Sequence, residues 1–288
     1  MASYTDITYE SADGLKLYAR DYAHPAPRLT LLCMHGLTRN SADFEGVAGH
    51  LAEEHRLVVV DQRGRGHSDW DSNTANYQPA VYVQDMFRLL DKLELDQVVL
   101  MGTSMGGLMS MIMVAMQPER FKGVILNDIG PVIDPAGLER IKGYVGKSGP
   151  VASWDEAVAQ TRDINGKEFP DFSDEDWLRF TRALYREDDS GVPVLAYDPA
   201  ISQPMASDEE AAIPPDLWPA FDTLAPLPTL VVRGALSDIL SADCVAEMRA
   251  RKPDLRVAEI ASRGHAPTLD EPASLAAIND FLGELTHG

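Results

Sequence analysis

The chain has 288 residues, 45% hydrophobic and 24% charged, which suits a soluble globular protein with a sizeable core and excludes a disordered one. A formal net charge of −20 at pH 7 argues against nucleic acid and against anionic membrane surfaces, both of which need clustered Lys and Arg. Cys33 and Cys244 lack metal or redox spacing, no basic-then-apolar leader is visible, and the longest nearly apolar run (106–116) is too short to span a bilayer. A reduced, cytoplasmic protein is the expectation.

In chain order, residues 7–10 and 15–22 flank Asp13-Gly14, a strong hairpin-turn signal. Residues 29–34 and 57–61 are continuous Leu- and Val-rich runs, as in strands buried on both faces. Between them, 41–54 reads as a helix with Ser41 as its N-cap. Residues 79–93 set Val83, Met86, Phe87, Leu90 and Leu93 at helical spacing. A strand at 98–101, a helix at 105–116 and a strand at 124–126 continue the rhythm. This alternation predicts an α/β fold, its mostly parallel sheet covered on both faces.

At Pro131 the rhythm stops. Acidic, Trp-bearing helical stretches follow at 154–162 and 173–185, broken by Pro193, Pro199, Pro204, Pro214, Pro215 and Pro219, with no buried strand pattern. The strand pattern resumes at 227–233, then a helix at 242–251, a strand at 255–261 and an amphipathic helix at 273–285. The expected organisation is a core of residues 1–131 and 227–288, interrupted by a helical cap at 132–226.

Gly102-Thr103-Ser104-Met105-Gly106 joins a strand to a helix. A nucleophile on so tight a turn needs glycine neighbours, because a Cβ there meets adjacent backbone. The turn also holds the serine oxygen at the positive end of a helix. Ser104 needs a base, and His265, in Gly264-His265-Ala266 after the last strand, is placed for it. A carboxylate must orient the imidazole. Asp238, after the penultimate strand, is favoured; Asp128, after the preceding strand, is the alternative. Oxyanion donors are expected at the Met105 amide and, in His35-Gly36-Leu37-Thr38, at the Leu37 amide. His35 is expected to brace its loop. Phe44 and Trp70 are candidate pocket neighbours; Trp154, Trp177, Tyr185 and Trp218 are further aromatics that line a pocket or fill the cap's own core.

His35-Gly36, the stretch Asp61-Gln62-Arg63-Gly64-Arg65-Gly66-His67-Ser68, then 102–107, 234–238 and Gly264-His265 stand in the order and rough spacing of the α/β-hydrolase superfamily, which the chain resembles outside the cap. The resemblance implies a central sheet of about eight strands with helices on both faces and an inserted helical cap. It also implies that the 61–68 loop is structural; a dinucleotide role fails for want of a third glycine and a following helix. Serine rather than aspartate at residue 104 points to acyl transfer to water, hence a carboxylesterase-like hydrolase of small-molecule esters. A lactonase or C–C bond hydrolase is the alternative, and a non-catalytic ligand-binding module a further one. No His-x-x-x-His or His-x-His pair occurs, so neither metal nor cofactor is expected. Family habit implies a monomer or homodimer.

Overall fold

A computed structural model describes residues 2–206 and 216–287. Pro214 and Pro215 lie outside the described residues. The chain opens on an antiparallel hairpin, β1 (Thr5–Glu10) and β2 (Lys16–Tyr22), turned at Gly14, whose φ of 88° suits glycine. Strand β3 (Thr30–Met34) leads through a 3₁₀ turn, Ser41–Phe44, into α1 (Glu45–Leu51). The cap there is Asn40, whose side chain accepts the Ala42 amide, and not Ser41. Then come β4 (Arg56–Asp61), α2 (Pro79–Lys92), β5 (Val98–Thr103), α3 (Met105–Met116) and β6 (Phe121–Asn127).

After β6 the chain builds α4 (Pro135–Tyr144), α5 (Trp154–Asn165) and α6 (Asp174–Leu184), then a small hairpin, β7 (Tyr185–Glu187) and β8 (Pro193–Leu195). Two short helices follow, α7 (Gln203–Ala206) and α8 (Trp218–Asp222). The final elements are β9 (Thr229–Gly234), α9 (Ala242–Arg251), β10 (Arg256–Ile260) and α10 (Pro272–His287).

Between β6 and β9 the structure adds helices α4, α7 and α8 and the β7–β8 hairpin to the two helices of the sequence reading. Helix α4 begins with Asp134 capping the Ala136 amide and Pro135 in its first turn. The β7–β8 hairpin turns where Asp188 accepts the Ser190 and Val192 amides and Gly191 takes a φ of 79°.

Eight strands form one sheet in the order β1-β2-β4-β3-β5-β6-β9-β10, antiparallel at β1–β2 and β2–β4 and parallel elsewhere. Alternation along each strand splits the core into two layers. Leu32, Met34, Val58, Val60, Leu100, Leu126 and Val231 face the layer that holds Met86, Phe87, Met109 and Met248 of α2, α3 and α9. Leu31, Cys33, Val59, Met101, Ile125 and Val232 face the layer that holds Val47 of α1 and Ile278, Phe281 and Leu282 of α10. Burial on both faces is why these strands read as continuous apolar runs. Cys33 is fully buried among them, and burial pushes its thiol pKa up.

The 61–68 loop is fully knitted into this frame. Asp61 accepts the Ser41 and His67 amides, and a Cβ on Gly66 would lie 2.1 Å from its carboxylate. Arg63, buried, forks onto Asp85 and meets Asp71 and Asp13. Its charge is thus spent on structure.

Candidate functional site

Ser104 sits between β5 and α3 with φ 51° and ψ −112°, a backbone that L-residues rarely adopt. Its neighbours permit the turn. A Cβ on Gly102 would lie 2.2 Å from the Gly106 carbonyl oxygen, and one on Gly106 would lie 2.1 Å from that of Met34. The Ser104 amide donates to the Asn127 carbonyl at 2.9 Å, so the turn is tied to the end of β6.

His265 Nε2 lies 2.8 Å from Ser104 Oγ, and Nδ1 lies 2.8 Å from Asp128 Oδ2. A carboxylate accepts, so Nδ1 carries the proton and Nε2 is left to accept from the serine hydroxyl. Asp128 is wholly buried; its Oδ1 also accepts the Gly234 amide at 2.8 Å, and its Oδ2 the Ser237 hydroxyl at 2.5 Å. The structure therefore joins Ser104 and His265 to Asp128, the alternative carboxylate.

Asp238, the carboxylate the sequence favours, does not meet the imidazole. Arg140 of α4 takes it in a two-pronged fork, Nε to Oδ2 at 2.6 Å and Nη2 to Oδ1 at 2.7 Å. Burial opposes the charge of Asp238, but the fork outweighs it and holds the carboxyl below the usual range. A bidentate guanidinium satisfies both oxygens at once, which is why the loop after β9 turns this side chain away.

The loop after β3 is braced as expected. His35 is fully buried; its Nε2 accepts the Gln62 amide at 3.0 Å, so Nδ1 donates to the Gly36 carbonyl at 2.7 Å. The Arg39 amide reaches the same carbonyl at 3.2 Å. In a trans peptide the next N–H points the other way, so the brace turns the Leu37 amide away from His35. Burial pushes the His35 pKa down to about 3, against a smaller upward pull from the Gly36 carbonyl. The Met105 amide opens α3, where an N–H has no intrahelical carbonyl to meet.

Ser104, His265, Leu37 and Phe44 line one cavity of about 610 Å³, with walls from both the sheet edge and the 132–226 segment. Tyr185 also lines it. Trp70 does not: it is 49% exposed on the loop that the Arg63 cluster pins down. Trp177 instead packs edge-on against Phe169, Phe172 and Phe180, and Arg251 lies 4.0 Å over the Trp218 ring. Tyr144 and Tyr197 line the cavity unforeseen, since a lone tyrosine carries no positional signal. No group of three or more His, Cys, Asp or Glu among the described residues is arranged to hold a metal ion. No helix among them is long and apolar enough to cross a membrane.

A mostly parallel sheet in this strand order, with a strained serine turn at the end of a central strand, is the frame of the α/β-fold hydrolases. Residues 30–272 match the alpha/beta hydrolase fold family, and the chain belongs to it. It is similar to the 3-hydroxybutyrate-oligomer hydrolase of Cupriavidus necator, 35% identical over 91% of each chain. It is also similar to the 2-(acetamidomethylene)succinate hydrolase of Mesorhizobium japonicum, 27% identical over 88% of this chain and 87% of that one. Among solved structures, an alpha/beta hydrolase from Novosphingobium aromaticivorans is 41% identical, with a TM-score of 0.92 over 98% of this chain and 99% of that one. The chain is accordingly a hydrolase of the α/β fold.

Proposed function

We propose that the chain is a serine esterase that cleaves small-molecule carboxylic esters, with short oligomers of a hydroxy acid as the substrate class. Ser104 attacks the ester carbonyl while His265 Nε2 takes its proton. Asp128 steadies the imidazolium, and the Leu37 and Met105 amides hold the oxyanion. His265 then protonates the leaving alcohol, and water releases the acid in a second round. Residues 132–226 act as the cap over the pocket.

The observation that carries this reading is the continuous hydrogen-bonded line from Ser104 through His265 to buried Asp128. The oligomer preference is supported by the name of the Cupriavidus necator relative and by the pocket itself. Its volume is ordinary for a bound small molecule, and Leu37, Phe44, Ile141, Ile164, Phe172 and Leu178 give it apolar walls suited to a methyl-bearing chain.

The test is intact mass after treatment with a fluorophosphonate, on the native protein and Ser104→Ala, with peptide mapping. Product analysis on linear 3-hydroxybutyrate dimer and trimer accompanies it. A single adduct on Ser104, lost in the variant, with 3-hydroxybutyrate released only by the native protein, is expected. An adduct elsewhere, or hydrolysis that survives Ser104→Ala, overturns the mechanism. Adduct formation without oligomer cleavage overturns the substrate class alone, and tight retention of oligomer without turnover points to a binding module.

A further inference from the structure

Against the backbone of the His265 loop lies a buried carboxylate that the mechanism above does not use. Glu168 follows α5 in a turn of the 132–226 segment and is 5% exposed. Its Oε2 accepts the His265 backbone amide at 2.7 Å, and its main-chain carbonyl accepts the Gly264 amide at 2.7 Å. One residue thus terminates two successive amides of the loop that carries the base. The fit is close: a Cβ on Gly264 would lie 1.7 Å from Glu168 Oε2.

Glu168 is itself held from two sides. Arg140, already forked onto Asp238, brings its Nε to 3.6 Å from Glu168 Oε1. The adjoining Phe169 is buried and stacks on Phe172 at 4.4 Å between ring centres, with Arg263 over both rings. Arg263 also reaches Asp171 at 2.5 Å and Glu271 at 3.0 Å, spanning the turn and the start of α10. The far end of the His265 loop is fixed independently, since Asn127 donates to the Pro267 carbonyl at 2.8 Å.

We infer that Glu168 is a positioning residue for His265: supplied by the 132–226 segment, it anchors the base's own backbone amide and holds Nε2 on Ser104 Oγ. The inference rests on the Ser104–His265 reading above. A residue held on one side only swings about its backbone, and displacement of a reacting group by an ångström costs up to about a hundredfold in rate. Burial pushes the Glu168 carboxyl above the usual range, against the pull of the His265 amide and Arg140. A carboxylate left uncharged still offers a carbonyl oxygen to that amide, so the anchor tolerates loss of charge better than loss of the acceptor.

The experiment compares Glu168→Ala and Glu168→Gln with the native protein in kcat, KM, the rate of phosphonate addition to Ser104 and thermal midpoint. Glu168→Ala is expected to lose about tenfold to a hundredfold in kcat and in phosphonylation rate, with KM within about threefold. Glu168→Gln, which keeps an oxygen acceptor, is expected to recover most of both rates. It also serves as the readable variant if Glu168→Ala does not fold. Native-like rates in a folded Glu168→Ala, a loss confined to KM, or a Glu168→Gln that loses about tenfold or more in both rates overturns the inference. Absence of any adduct on native Ser104 is a separate result, which overturns the serine mechanism and the inference with it.

Discussion

Asp128 and Asp238 can be told apart by one pair of variants. In Asp128→Asn the side chain keeps its shape, and its oxygen can still accept the Gly234 amide that Oδ1 accepts now. The oxygen facing His265 Nδ1 is then replaced by an NH₂ group. An amide donor there forces Nδ1 to accept, which moves the ring proton to Nε2 and points it at Ser104. The imidazole is then in the wrong tautomer to take the serine's proton, a defect worth on the order of 10⁴ in kcat. That corresponds to about 5.4 kcal/mol of barrier. Asp238→Asn breaks the two-pronged Arg140 fork, whose side chains are 24% and 31% exposed, at a stability cost on the order of 1 kcal/mol. Its kcat should stay within about fivefold of native, because no group touching the serine or the imidazole changes. Steady-state hydrolysis of a short p-nitrophenyl ester reads both variants, with circular dichroism to confirm that each folds. Equal losses, or a larger loss in Asp238→Asn, would refute the assignment of Asp128.

His35 makes acid stability a readout of the loop after β3. Between the ordinary histidine value of about 6.5 and its folded value of about 3, the unfolded chain binds a proton that the buried ring refuses. Stability from this group is therefore complete above about pH 6.5 and falls as pH drops toward 3. Thermal midpoints from pH 7.5 to 4.5 should fall more steeply for the native protein than for His35→Gln, and parallel slopes would refute this. Gly102→Ala should lower folded yield or cost at least about 1–3 kcal/mol, since its methyl meets backbone that cannot step aside. Gly49→Ala, with nothing within 4 Å of the added methyl, is the matching control and should stabilise slightly. A Gly102→Ala protein as stable as the native one would remove the steric account of the turn.

Much of this molecule is legible in its sequence because its signals are local. Strands buried on both faces must be continuous apolar runs, so β3, β4, β5, β6 and β9 announce themselves. The serine turn is equally local, since the clash at Gly102 is with Gly106, four residues on. Helix α4 is another matter. Its start signal, Asp134-Pro135, is present, but its few apolar residues, Leu138 and Ile141 among them, are only partly buried, so the stripe that marks it is short. Glu168 carries no signature at all, because its partners lie 96 and 97 residues away in the chain, at Gly264 and His265. Only packing brings such residues together.

The two matters are connected. Parallel strands lie about 4.8 Å apart, and β6 and β9 are the first and second neighbours of β5 on the side from which His265 approaches. Topology alone leaves both strand ends open to supply the carboxylate, and Asp128 and Asp238 stand at them. What separates them is charge already committed. Arg140, delivered by α4, occupies both oxygens of Asp238, whereas Asp128 faces neutral donors, the Gly234 amide and the Ser237 hydroxyl, and keeps an oxygen toward the imidazole. A reading that does not see α4 finds Asp238 free. Which carboxylate meets the imidazole is decided by where a guanidinium lands, and that is a property of the 132–226 segment rather than of the strand ends themselves.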